Sequence, residues 1–403
     1  MYSQPPHVAA WLTNFKTCTI LHNQPAFPSK LGSFRKTRAA TIVHPWKIRN
    51  PAQSCTTPDH RHTHVTLAFA LSPAERNRLP ILDAIRFVCA SWVLFFHAGF
   101  LPFTAGVDKS TRAGLAVYAF SSNLFYGSAG VIAFFVISGF CVHYPYRERP
   151  ETHWLSYFSR RYLRIGIPMI AAYLIARWLG VGAIEEGIMW TLRCELVYYT
   201  LNPLLVQARS RTSWNVVLGI SLAIWIPFAI ARLGLHFAMP DDLYRCIAGL
   251  PCWILGAKLA ESNVHKLRPV STPEIWAWRL GVWATASTVS FLHFHSPFNG
   301  DLTHTLFAFP VYFWLRREIQ RSDYTGNVSS LLASAGLWSY SLYIMHVPGL
   351  DLSEPTHFVN IGFILNWARR IAMILAISYA FYLPVERPSH LLARTVSRRF
   401  RTS

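Results

Sequence analysis

Arg86 and His97 interrupt an otherwise apolar stretch, LDAIRFVCASWVLFFHAGF, and lie eleven residues apart. Eleven positions are almost three whole turns of an α-helix, so both side chains fall on one stripe, about 16 Å apart along the axis. Snorkelling to headgroups accounts for the arginine alone, and hydrogen-bonded packing is the plain structural account of the histidine. A histidine at that depth in an apolar helix points further, to a functional site. Its chemistry would be proton transfer, because imidazole has the unperturbed pKa nearest neutrality. Asp83, three residues before Arg86, can anchor the helix end as its ion-pair partner or orient another polar group.

Other chemistry-bearing residues recur at helical spacing. Arg160, Arg161 and Arg164 share a face at i, i+1 and i+4, suited to phosphates or to topological charge alone. Glu195 sits in an apolar run between Trp190 and Tyr199. A carboxylate there must be paired or protonated; Arg86, Arg193 and His97 are its candidate partners, with structural pairing preferred and substrate contact second. His346 closes SYSLYIMH with Tyr340 and Tyr343 beside it, and either meets an acceptor or packs in an interfacial belt. Ser138 and Gly139 are small residues of the kind that admit close helix approach. A serine nucleophile is disfavoured because the chain has no Gly-x-Ser-x-Gly elbow. Glu386 in VERP reads as a structural, helix-terminating element.

The elements that must position these groups are membrane helices. Of 403 residues, 52% are apolar, 15% aromatic and 14% charged, and mean hydropathy is positive. That balance fits a multi-spanning membrane chain, and 15 Trp and 17 Tyr fit aromatic belts at the headgroups. Ten apolar runs are expected to span: 81–101, 118–144, 165–182, 187–206, 214–237, 246–261, 275–295, 302–316, 331–349 and 365–385. The fold class is therefore all-α, a multi-pass transmembrane helical bundle of about ten spans. Basic clusters fall in alternate connections, at 146–164, 208–211, 265–268, 315–321 and 393–401. The positive-inside rule then puts both termini in the cytoplasm, Arg86 near the cytoplasmic edge and His97 toward the far side.

The net charge of +19 is dispersed in these short clusters rather than gathered on one face, which argues against a nucleic-acid partner. Residues 1–78, rich in Pro, Thr, His and basic residues, read as a disordered basic tail or an over-extended start; residues 391–403 read as a basic cytoplasmic C-terminal tail. His60, His62 and His64 lack a cage of further ligands, so no metal is expected. Cys18, Cys55, Cys89, Cys141, Cys194, Cys246 and Cys252 show neither CxxC nor zinc spacing, and free thiols are expected.

An Arg-x10-His first span opening with LDAIR resembles the membrane acyltransferase-3 family. GVIAFFVISGF (130–140), RRYLRIGIP (160–168), WTLRCELVYYTLNPLL (190–205), SYSLYIMH (339–346) and VERP (385–388) are similar to that family's further motifs, in its order. The likeness extends over about 79–390. The chain departs from many members in carrying Leu196 where a second glutamate often follows the first.

The resemblance implies an integral membrane O-acyltransferase of the bacterial inner membrane. It would move an acyl group, expected to be acetyl, from acyl-CoA to a hydroxyl of a carbohydrate or a lipid-linked or exported polysaccharide. No bound cofactor is implied; acyl-CoA is the donor substrate. Acyl transfer needs a base beside the acceptor hydroxyl and stabilisation of a developing oxyanion. His97 is the expected base, with Arg86 and Glu195 beside it in the catalytic set. The resemblance tips Arg160, Arg161 and Arg164 toward the coenzyme A phosphates. Asp83, Trp190, Tyr199, Ser138, His346 and Tyr343 are supporting or acceptor-binding candidates. The second reading is a proton-coupled transporter or flippase using the same Arg, His and Glu. Two features favour the enzyme: no pair of broken helices occurs in corresponding halves, and the polar residues gather in the first four spans. A transmembrane sensor with a basic tail is a weaker third.

Overall fold

The computed structural model describes residues 79–98, 107–147, 153–181, 188–234, 240–262, 269–295, 300–325, 328–353 and 362–402. The tail at 1–78, with Cys18, Cys55 and its histidines, lies outside them. The described residues form helices and no strand. In chain order these are α1 (Pro80–His97), α2 (Arg112–Ser122), α3 (Gly127–His143), α4 (Trp154–Trp178), α5 (Trp190–Arg211), α6 (Trp214–Gly234) and α7 (Asp241–Glu261). There follow α8 (Thr272–His295), α9 (Gly300–Thr325), α10 (Ser330–Ala335), α11 (Ser339–Ser353), α12 (Gly362–Phe381) and α13 (Arg387–Thr402).

Eight of the ten apolar runs coincide with one helix each, while 118–144 takes in α2 and α3 and 331–349 takes in α10 and α11. Five segments are long and apolar enough to cross a membrane by length and composition: Pro80–His97, Arg112–Tyr146, Trp214–Ala231, Asp241–Glu261 and Ile364–Phe400. The others are diluted by charge, as in α4 with its arginines and α9 with Arg316, Arg317, Glu318 and Arg321, or are short, as is α11. Large apolar side chains point outward along α4, α6, α8 and α12, among them Ile170, Leu174, Ile220, Ile230, Leu280 and Leu365. Such a surface suits hydrocarbon rather than water.

Local chemistry explains several boundaries. Pro80 opens α1, where its missing N–H costs nothing, and Asp83 lies in the first turn at the positive end of the helix dipole. The run 118–144 holds two helices, because Thr111 caps α2 and Asn123 ends it before α3 begins. The basic segment at 154–164 is already helical, so α4 begins eleven residues before the apolar run expected at 165.

α3 is apolar on every side and buried along nearly its whole length, so it forms the centre of the bundle. Its tightest neighbour is α7. A methyl group on Gly139 would lie 1.9 Å from the carbonyl oxygen of Trp253, and one on Gly256 would lie 1.9 Å from that of Val136. The small residue at 139 therefore does admit the close helix approach expected of it. Polar clamps hold the periphery. Arg279 on α8 grips Glu318 on α9 with two bonds of 2.6 and 3.0 Å. Glu261 at the end of α7 joins His143 of α3 (2.7 Å) and Arg209 of α5 (2.8 Å). The five described cysteines are free, and the Cys246 thiol donates to Cys194 Sγ.

The helix does not terminate at Glu386 as the sequence suggests. Residues Tyr382–Glu386 form a π-helical turn and the chain continues into α13. Glu386 is buried, and its Oε2 accepts hydrogen bonds from the Ser341 backbone N–H (2.9 Å) and hydroxyl (2.5 Å). Ser341 lies in the first turn of α11, where backbone N–H groups lack intrahelical partners. Glu386 thus caps α11 from another helix. The basic residues at 391–402 belong to α13, which packs along α4.

Candidate active site

The polar side chains inside the bundle form a line that starts near the beginning of α1 and ends at its last residue. At the start, Arg86 Nη1 donates to Asp83 Oδ1 over 2.9 Å, the i, i+3 pair its spacing suggested. Arg161 reaches in from α4, donating to the Cys141 carbonyl over 3.0 Å, with its guanidinium 5.7 Å from the centre of the Tyr199 ring. Arg160 and Arg164 lie on the same stretch of α4. Among the described residues none of these three α4 arginines pairs with a carboxylate.

The next station is Glu195 on α5. Its Oε1 accepts from the Ser138 hydroxyl of α3 over 2.7 Å and from the Tyr199 hydroxyl over 2.5 Å. Neither arginine considered as its partner makes a hydrogen bond to it: Arg86 bonds Asp83, and Arg193 bonds Asp242 (2.9 Å). Ser138 is bonded to a carboxylate and lies on a continuous helix, which suits a positioning role better than a nucleophile's. Tyr199 is itself held through its backbone. Pro203 cannot donate to the carbonyl four residues earlier, and the Tyr157 hydroxyl fills that place over 3.1 Å.

These bonds predict the behaviour of two variants. Glu195→Gln keeps an acceptor for Ser138 and Tyr199, and its unfolding midpoint in detergent should stay close to the parent's. Glu195→Leu leaves two hydroxyl donors unsatisfied, at a cost of about 1–3 kcal/mol, and its midpoint should fall clearly below that of the Gln variant. Equal midpoints would show that the carboxylate is not what holds this junction.

One turn before Glu195 on α5, the Thr191 hydroxyl lies 2.8 Å from the Tyr343 hydroxyl of α11. Tyr343 packs edge-on against Phe134, and its carbonyl accepts from His346 Nδ1 over 2.6 Å. That bond places the ring proton on Nδ1 and leaves Nε2 as an acceptor. His346 is fully buried, and among the described residues Nε2 has no hydrogen-bond partner. The ring of His97 lies 5.1 Å away, centre to centre. His97 is the last residue of α1 and is exposed, so the line ends in a histidine pair with one ring buried and one open.

The structure therefore gathers Ser138, Glu195 and Tyr199 at one junction, and Tyr343, His346 and His97 at the other. Trp190 stands apart, against Phe135 and under the Arg245 guanidinium 5.1 Å from its ring. Thr191, which links the two junctions, was not singled out in the sequence. Its position one turn before Glu195 was the available signal.

Comparisons with known proteins agree with this architecture. The acyltransferase domain family (acyltransferase-3) matches residues 79–383. The chain is 22% identical over 353 residues to a protein of Streptomyces mycarofaciens named acyltransferase MdmB, covering 76% of this chain and 88% of that one. No solved structure matches. With the family match extending from the start of α1 to the π-helical turn, and with several apolar helices able to cross a bilayer, the chain belongs to the acyltransferase-3 family and is an integral membrane acyltransferase.

Proposed function

We propose that the enzyme moves an acetyl group from acetyl-CoA to a hydroxyl of a carbohydrate, lipid-linked or as an exported polysaccharide, in a bacterial inner membrane. Its ten long helices span, and both termini face the cytoplasm, in keeping with the basic clusters in alternate connections. The observation that carries this reading is the polar line itself: α4 arginines with no carboxylate partner among the described residues at one end, an open histidine at the other, and hydroxyls between them in an apolar bundle.

In this reading Arg160, Arg161 and Arg164 hold the phosphates of the donor, and its pantetheine arm follows the line toward His97. His97 takes the proton of the acceptor hydroxyl as the oxygen attacks the thioester carbonyl. The C–S bond then breaks, and the proton passes from His97 to the departing thiolate. The free Nε2 of His346 is suited to accept the N–H of His97, which leaves the other His97 nitrogen as the base. The Thr191 hydroxyl donates to the Ile188 carbonyl and so accepts from Tyr343, whose hydroxyl would turn from Thr191 to the developing oxyanion.

The test is purified protein in liposomes, given acetyl-labelled acetyl-CoA and a carbohydrate acceptor. Label should appear as an alkali-labile ester on the acceptor, with one free thiol released per ester. Passage of the carbohydrate across the bilayer without esterification would favour a transporter and overturn the proposal.

A further inference from the structure

The family match ends at residue 383, yet α13 beyond it is built into the arginine end of the polar line. On α4, Ser156, Arg160 and Arg164 follow at intervals of four and share one face. On α13, His390, Arg394 and Ser397 likewise share one face. The two faces meet antiparallel. At one end the Ser156 hydroxyl donates to the Ser397 carbonyl over 2.8 Å and lies 2.9 Å from its hydroxyl, with both residues buried. At the other, Arg164 Nε donates to His390 Nε2 over 3.2 Å. The rung between must set Arg160 against Arg394, and each stands within electrostatic reach of the other and of His390.

Two arginines opposed on packed helices repel one another, and among the described residues neither has a carboxylate partner. The acids nearby serve other partners: Glu386 caps α11 through Oε2 and approaches His390 through Oε1, Asp83 bonds Arg86, and Glu195 bonds Ser138 and Tyr199. His390 Nε2 accepts a hydrogen bond from Arg164 Nε, so the ring is neutral in this arrangement, with its proton on Nδ1. Glu386 Oε1 lies 3.6 Å from His390 Nε2 and serves the Arg164–His390 rung, whereas at the Arg160–Arg394 rung donors from both helices converge and, among the described residues, no carboxylate pairs with either arginine. Arg394 is exposed and Arg160 half-buried, so that rung is open to solvent.

We propose that His390 and Arg394 of α13, opposed to Arg160 and Arg164 of α4, form a phosphate subsite for the nucleotide end of the acyl donor. The subsite rests on the donor reading above and extends it to a helix outside the family match. A phosphate between the two rungs replaces arginine–arginine repulsion with charge-assisted hydrogen bonds from both helices. An anionic lipid headgroup offers the same chemistry, and the test must separate the two.

Binding of coenzyme A to the full-length protein, measured by calorimetry in phosphatidylcholine nanodiscs, should weaken about tenfold in Arg394→Gln and again in His390→Leu. Arg394→Lys should recover part of the loss. Pantetheine, which lacks the nucleotide phosphates, should bind parent and variants alike. Unfolding midpoints near the parent's would establish that the variants are folded. Equal coenzyme A affinity in parent and variants overturns the subsite, as does a loss that extends to pantetheine. Variants that match the parent for coenzyme A but lose stability only in phosphatidylglycerol nanodiscs would assign the rungs to lipid. If the parent binds coenzyme A and the variants do not, while no hydroxyl is ever acylated, the subsite stands and the proposed function falls. Failure of the parent to bind coenzyme A overturns both.

Discussion

His97→Ala should lower kcat for acyl transfer by at least about a hundredfold, the ordinary contribution of a positioned general base, while donor affinity should stay near the parent's. The separation of the two effects follows from geometry. His97 closes α1, whereas the arginines assigned to the donor lie toward the helix's other end and on α4. Transfer can be measured by thiol release under saturating donor, and affinity by calorimetry. His97→Gln should be as inactive as the alanine variant, because an amide keeps hydrogen bonding without basicity. His346→Gln should retain more activity than either, since in the proposed mechanism His346 orients the base and does not itself exchange a proton with substrate. A His97→Ala enzyme with unchanged turnover would remove the histidine from the chemistry and leave the pair as a packing contact.

The second large effect concerns the seam between α3 and α7. Gly256→Val should abolish recovery of monodisperse protein in detergent, or lower its stability by at least about 3 kcal/mol, the upper range for overpacking. The obstacle is a backbone oxygen 1.9 Å from the new carbon, and no side-chain rotation can remove it. Gly139→Val meets the mirror-image obstacle. Gly281→Val on α8 provides the control, since nothing lies within 4 Å of a methyl group there. Size-exclusion profiles and unfolding midpoints compare the three. If Gly256→Val behaves like Gly281→Val, the two helices are not in backbone contact.

The residues show which parts of this were legible in advance. Hydropathy is a property of consecutive residues, so eight of the ten apolar runs coincide with a single helix, and only the breaks inside 118–144 and 331–349 escaped it. The apolar run at 165–182 covers only the later part of α4, because the helix's first turns carry arginines, which an apolar pattern passes over. α13 read as a tail for the same reason: its charge is periodic, but only a packed neighbour shows which face is covered. Pairs within one helix could be anticipated, as Asp83 with Arg86 was, from i, i+3 spacing. Pairs between helices could not. Ser138 with Glu195 and His97 with His346 are joined only by tertiary packing, so the partners proposed for Glu195 came from charge and proved to be hydroxyls instead.

The cap that Glu386 places on α11 has a consequence for biogenesis. α1 is the first of these helices to leave the ribosome, and it carries Arg86 and His97. The residue beside His97 comes from α11, and the carboxylate that completes the first turn of α11 comes later still, after α12. During synthesis His97 must therefore wait in the bilayer without its final neighbour until α11 has been made, although Arg86 already has Asp83 on its own helix. The site is closed by joining the early helix α1 to the late helix α11, so its assembly must follow the synthesis of the helices between them.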